Sequence, residues 1–549
     1  MLMSSARGPG NSDNRGMRSA LAWWLVPTLI AGAVCAHTAG RPATANFATA
    51  RDAITGPYAS LLAASEDLGP ARDARVELTA ALRDGSAPQA LARFAGDHGL
   101  SVTWHPGQNW ATLAGTPAAA AQALGVTVHD YRGQRGQVFY ASPQQPAVPA
   151  AVRGEVSELG RVLGYTPHHE SAPVILPLDV PTSAVSAEEL VRSYNVGPLR
   201  SRGYTGKGVT VLVFAFDGFD QSDLDTFAAS SGLPPLVPEL LGPKPTQRNG
   251  EATMDLQAVH ALAPDARTVL VNARPTVEGD ASYRKIADMM AEADRRYPGA
   301  VWSFSIGWGC DKLITAADLA PARAALAQAQ QHGTTAFNAS GDLAGLECKG
   351  GHDWSAPPGP DDIGLDSVAS LPEMTDVGGT RLSTAADGSW LGEQSWFDPP
   401  ITQGTGGGTS ALFRRPRWQS ALAPAAPDRR LTPDIAALAD PFTGMRIVFN
   451  GRQVVGGGTS LSAPLWAGMA AVMNQYLVDN GGQPIGDLNP LLYEIAEGAR
   501  LPAFRDVTLG GNAVDLAGPG YDLVTGLGTP NVDNLARNLL AVQRRIGIR

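Results

Sequence analysis

Three cysteines in 549 residues exclude a disulfide-dense scaffold and a structural zinc centre of the four-cysteine kind. Charge is also scarce. Asp, Glu, Lys and Arg make up 17% of the chain, and acids outnumber bases for a net charge of −10 and a pI near 5.4. That balance excludes a basic nucleic-acid footprint, so no nucleic-acid partner is expected. It suits an exported protein with an acidic, weakly charged surface. Histidine is sparse where catalysis would need it: only His260, His332 and His352 fall in the C-terminal two thirds. Unbroken apolar runs are few. "ALAWWLVPTLIAGAVCA", Ala20 to Ala36, is marginal for a membrane span and has Pro27 inside it.

That run follows Arg7, Arg15 and Arg18 and ends in small residues, with Val34 and Ala36 placed for cleavage. Residues 1–40 therefore read as a signal peptide or, failing cleavage, an N-terminal anchor. A membrane contact is expected only through an uncleaved leader, and the mature location is secreted or extracytoplasmic. Cys35 leaves with the leader. The pair Cys310 and Cys348 then remains, as a disulfide or as two buried thiols.

The length is too great for a single core, so more than one domain is expected. Residues 51–165 read as a small α+β unit. "ALARFAGDHGL" and "TPAAAAQALG" have helical spacing and glycine stops, and "SVTWHP", "WATLAG", "VTVHDYR" and "QVFYAS" read as strands. Residues 166–184, "TPHHESAPVILPLDVPTSA", form a proline-rich linker open to proteolysis. His168 and His169 within it read as solvated. From residue 185 to 549, apolar strands alternate with helices: "KGVTVLVFAF", "ARTVLVNAR", "AVWSFSIGWG" and "TTAFNASGD" are separated by stretches such as "DASYRKIADMMAEADRRY". That alternation predicts a parallel α/β sheet with its site at the carboxyl ends of the strands.

The pentapeptide GGGTS occurs twice, ending at Ser410 and at Ser460. A basic, proline-containing loop follows Ser410. After Ser460 comes "LSAPLWAGMAAVMNQYL", an apolar helix with Pro464 expected in its first turn. Ser460 thus sits at a helix N-terminus, as a nucleophile facing oxyanion-binding N–H groups or as a plain N-cap. A nucleophilic serine needs a base. "HGT" at His332 resembles the histidine motif of subtilisin-type proteases, but His332 ends a helix instead of starting one. Glu251 and Asp255 offer another route. In "GEATMDLQAVHALAP" they stand four residues apart on one face of a mostly apolar helix, with His260 on the opposite side. Two buried acids at that spacing would share a proton.

Taken together these stretches resemble the sedolisins, the serine-carboxyl peptidases of family S53. The serine segment "GTSLSAP", the Glu/Asp helix and the "NASGD" turn ending at Asp342 carry the resemblance, and "GTGGGTSALFRRPRWQ" resembles a glycine-rich segment that is not the nucleophile. "FRDVTLGGN" and "AGPGYDLVTGLGTP" resemble the family's calcium site. Read alone, they are a Gly-Asp loop with or without an ion.

The resemblance implies a subtilisin-like parallel sheet flanked by helices, preceded by a small α+β activation propeptide. It implies Ser460 as nucleophile, Glu251 as general base, Asp255 as its partner and Asp342 as oxyanion acid. It also implies one structural Ca2+ held by Asp506, Val507, Gly518, Gly520 and Asp522. Protein or peptide substrates, intramolecular inhibition by the propeptide, an acidic working range and a monomer follow as expectations. The sequence departs from the usual Ser-Gly after Asp342, reading Leu343-Ala344. Cys310 and Cys348 fall at strand ends near the site, which favours their pairing. Two other readings stand beside this one: a catalytically inactive secreted binding protein on the same fold, and a histidine-dependent subtilisin-like protease.

Overall fold

The computed structural model describes residues 53–72, 75–168, 176–177, 184–279, 282–350, 357–421, 427–545 and 547. The leader, His169, His352 and most of the linker lie outside them. Residues Ala48–Arg549 form one compact unit.

The N-terminal part has a four-stranded antiparallel sheet, with Val76–Leu82 between Trp110–Gly115 and Val156–Leu159 and with Ser101–Thr103 outermost. A smaller three-stranded antiparallel sheet joins Glu66–Pro70, His129–Arg132 and Val138–Ala141. Along Val76–Leu82 every second residue is buried, and helices Gln89–Asp97 and Pro117–Leu124 bring Leu91, Ala95, Ala120 and Leu124 to that face. The second helix begins and ends as its sequence dictates. Thr116 accepts the Ala119 N–H, and Gly125 turns left-handed at the end.

The larger part is built on strands β1 (Thr210–Ala215), β2 (Glu239–Leu241), β3 (Arg267–Asn272), β4 (Val301–Phe304), β5 (Thr335–Ala339), β6 (Thr375–Thr384), β7 (Trp390–Ser395) and β8 (Ile435–Leu438). Their order is β2-β3-β1-β4-β5-β6; β8 continues parallel to β6, and β7 is its antiparallel neighbour. Helices α1 (Glu251–Leu262), α2 (Tyr283–Arg296), α3 (Ala320–Gln331) and α4 (Thr459–Asp479) cover the two faces. The two-residue period of β1 shows how. Val211, Val213 and Ala215 share a core with α1 and α4, while Leu212 and Phe214 pack with α2 and α3. This is the expected parallel sheet flanked by helices.

Two local features differ from expectation. The linker is not wholly irregular: Leu176–Pro177 pairs antiparallel with Val454–Val455, just before Gly456. His168 is not solvated; it is half-buried, edge-on to the Phe216 ring at 5.8 Å.

Candidate active site

β1, β4 and β5 run parallel and adjacent, so their carboxyl ends open at one edge. Ser305 follows β4, and the turn Ser340–Leu343 follows β5. α1 and α4 pack against the same face of the sheet and begin at that edge. All four predicted catalytic residues therefore meet there.

Ser460 is the second residue of α4 and is buried. At that position its N–H has no acceptor within the helix. Gly458 carries the chain into the helix at φ +93°, ψ 161°, a conformation open essentially to glycine alone. Pro464 lies further inside than expected. The helix starts at Thr459, so Pro464 is not in the first turn. It has no N–H to give the carbonyl four residues back, which is that of Ser460. The Ser305 hydroxyl takes that place, donating to the Ser460 carbonyl at 3.0 Å. The proline thus frees the Ser460 carbonyl, and a side chain just past β4 ties it down.

Every residue of α1 is buried, including Glu251 and Asp255. No donor in full hydrogen-bonding geometry meets the four carboxyl oxygens. Burial, together with the other acids nearby, holds Glu251 well above the usual carboxylate range, while the adjacent Ser460 hydroxyl acts the other way. Asp255 is likewise held well up by burial. Two such acids one helical turn apart are met most simply by a shared proton.

Asp342 accepts the Thr459 N–H at 2.8 Å and the Thr459 hydroxyl at 2.7 Å, both on Oδ1. Its other oxygen, Oδ2, faces Gly458: a Cβ there would stand 2.8 Å from it. Burial raises its pKa against those two bonds. An acid whose one oxygen only accepts can carry its proton on the other and donate it toward the start of α4.

The two GGGTS copies have different structural roles. The segment Gly404–Gly407 lies along the Asp342 turn: Gly404 N–H donates to the Asp342 carbonyl, and Gly406 N–H to that of Gly341. A Cβ on Gly406 would come within 2.3 Å of the Ser340 carbonyl, and one on Gly407 within 2.1 Å of the Leu523 carbonyl. These glycines are there for close approach. Ser410 is buried, and its hydroxyl accepts the N–H groups of Leu412 and Phe413. It caps a turn.

The two candidate histidines among the described residues, His332 and His260, are elsewhere occupied. His332 Nδ1 pairs with Asp294 at 2.8 Å at the C-terminal end of α3, and His260 Nε2 is bonded to the Pro234 carbonyl. Cys310 and Cys348 form a disulfide with Cα atoms 4.9 Å apart, bracing the segment that follows Asp342.

The sequence reading missed several residues of this site. Glu347 is buried beneath the Asp342 turn, where it accepts the Leu343 N–H at 3.2 Å. It also leaves no room for a side chain at Gly341, whose φ is +111°. Thr459 holds Asp342, and Ser305 holds the Ser460 carbonyl. Asp217, just past β1, caps α1. Only Asp217 carried a signal, an acid at the carboxyl end of a parallel strand.

At the C-terminal loop, Asp506 Oδ2 accepts the Gly520 N–H at 2.8 Å, and Asp522 accepts those of Gly518, Val524 and Thr525. The Val507 carbonyl lies 3.5 Å from the Thr525 hydroxyl. The five predicted ligand positions are thus joined in one loop pair. Asp515 and Asp522 stand close enough to repel. An all-oxygen set with two carboxylates and crowded acids fits a hard cation such as Ca2+.

Comparison with known proteins adds to this geometry. The family described as "Pro-kumamolisin, activation domain" matches residues 81–159. Kumamolisin from Bacillus sp. (strain MN-32) is 29% identical over 488 residues, covering 82% of each chain. Sedolisin from Pseudomonas sp. (strain 101) is 26% identical over 430 residues, 73% of this chain and 70% of its own. Tripeptidyl-peptidase 1 from Homo sapiens is 27% identical over 458 residues, 76% of each. Among solved structures, a Pseudomonas sedolisin (serine-carboxyl proteinase) in complex with pseudo-iodotyrostatin superposes with a TM-score of 0.56 at 26% identity. That match covers 66% of this chain and 99% of the other.

Proposed function

We propose, from the premise that this chain belongs to the sedolisin family of serine-carboxyl peptidases and carries its activation domain, that it is an exported proenzyme cutting peptide bonds at acidic pH with Ser460, Glu251, Asp255 and Asp342. The observation that carries this reading is the buried Glu251–Asp255 pair set against the Ser460 hydroxyl, with Asp342 fastened to Thr459 at the head of the same helix.

The chemistry follows from those positions. Glu251 takes the Ser460 proton as the hydroxyl oxygen attacks the scissile carbonyl. Asp255 shares a proton with Glu251 and sets its basicity. Asp342, neutral, donates to the oxyanion together with the Ser460 N–H, where preorganised donors are worth most. Glu251 then returns its proton to the leaving amine. Water repeats the sequence to release the acyl group. A carboxyl base must be ionised and the oxyanion acid protonated, which places the working range below neutrality.

The domain reading is that residues 51–165 are the activation propeptide, 166–184 the processing linker and 185–549 the peptidase domain, acting as a monomer. A Ca2+ ion would be held by the carboxylates of Asp506 and Asp522 and the carbonyls of Val507, Gly518 and Gly520, and it would supply order to that loop. Among the described residues no helix is long and apolar enough to cross a membrane. Incubating the purified proenzyme at acid pH tests the proposal. The parent should shed its N-terminal part and hydrolyse a quenched-fluorescent peptide, and Ser460→Ala should do neither. Processing and turnover by Ser460→Ala would contradict it.

A further inference from the structure

Asp217 stands two residues beyond β1 and is buried. Its Oδ2 accepts the N–H groups of Asn249 at 2.7 Å and Gly250 at 3.0 Å, and its Oδ1 that of Ala252 at 2.9 Å. The N-cap position of α1 is Gly250, at φ +103°, which has no side chain to cap with. A helix begins with N–H groups that lack acceptors, and Asp217 supplies one from another element. Glu251 is the first residue of that helix. Asp217 also lines the same small cavity as Phe216, Asn249, Glu251, Arg274 and Ser305.

We propose that Asp217 is a positioning residue for the catalytic acids: its carboxylate pins the first turn of α1, and with it Glu251, and fixes a negative charge behind the Glu251–Asp255 pair. This rests on the triad reading above. The surroundings decide which acid carries the charge. From α1, Glu251 and Asp255 face Asp217. After β3, Arg274 lines the cavity, with its guanidinium donating to the Phe216 carbonyl at 3.1 Å and stacked on the Phe216 ring. Asp342 bears on Glu251 from the turn after β5. Asp220 and Arg248 form an exposed ion pair outside the loop. Burial raises all three acids. Only Asp217 has several N–H donors, so it ionises first. An anion there disfavours a second charge on the pair and lifts the base toward its working range.

The test is the pH dependence of kcat/KM for mature Asp217→Asn, with Asp217→Ser as a second neutral helix cap. Removing the fixed charge should move the acid limb to lower pH by roughly one unit. The alkaline limb, set by Asp342, should stay. An acid limb identical to the parent's in both variants, with only turnover or melting temperature lowered, would make Asp217 a mere helix cap and overturn the proposal. Failure of both neutral variants to fold would overturn it too. Failure of the triad reading has a different signature: turnover surviving in Glu251→Gln or Ser460→Ala.

Discussion

Replacing Gly458 by alanine perturbs Asp342, the proposed oxyanion acid, while leaving its own side chain unaltered. Gly458 has φ +93° and ψ 161°, where a non-glycine residue costs roughly 1–3 kcal/mol. The added methyl would also stand 2.8 Å from Asp342 Oδ2, closer than a Cβ and an oxygen can sit. Asp342 cannot simply retreat, because its Oδ1 is held by both the N–H and the hydroxyl of Thr459. The carboxyl must turn away from the space where the oxyanion forms, or α4 must begin differently and shift Ser460. Either way one preorganised donor is lost, which is worth about 100- to 1000-fold in turnover. The assay is kcat and KM on a quenched-fluorescent peptide at acid pH, beside a thermal melt. Gly481→Ala is the control. It lies just past the other end of α4, at φ +79°, with nothing within 4 Å of an added Cβ. It should lower the melting temperature and leave kcat alone. A Gly458→Ala enzyme with kcat close to the parent's, KM unchanged, would refute the placement of Asp342 in catalysis.

Four further outcomes are expected. Ser410→Ala should retain acylation and lose about 1 kcal/mol of stability with its two capping bonds, read by denaturant titration against the parent. Stability should rise on acidification. Burial pushes Asp311, Asp318, Asp440 and Asp487 up to about 6 and Asp366 up to about 7. The folded protein therefore binds more protons than the unfolded chain between about pH 7 and pH 4, and its melting temperature should climb as pH falls through that window. A Cys310→Ser/Cys348→Ser pair opens a loop spanning a sequence separation of 38 and should cost about 4 kcal/mol in a denaturant titration. A chelator, or Asp522→Asn, should lower the melting temperature, with added Ca2+ restoring it only where Asp522 is intact.

How much of this was legible beforehand varies by the kind of signal. The strands and helices of the sheet announced themselves because their side chains alternate or repeat with the period of the element, as Val211 to Ala215 show. The placement of Ser460, and not Ser410, at the head of a buried helix was legible from the apolar run behind it. The four-residue spacing of Glu251 and Asp255 placed them on one buried face. What escaped was set by tertiary approach. Nothing local to Asp217 says that its carboxylate meets the N–H groups of Asn249 to Ala252. Glu347 looks like any surface acid until Leu343 and Gly341 fold over it. Pro464 read as a first-turn residue because the helix start could not be fixed to a residue from the glycine run alone. The consequence, a freed Ser460 carbonyl held by Ser305, depends on a residue just past a strand more than 150 positions away.

The most direct measurement of the central claim is the pH profile of kcat/KM for the mature enzyme, taken alongside His332→Ala and Glu251→Gln. Carboxyl-driven attack predicts an optimum below neutrality, a profile unchanged by His332→Ala, and turnover abolished by Glu251→Gln. Activity confined above neutrality and lost with His332 would contradict it.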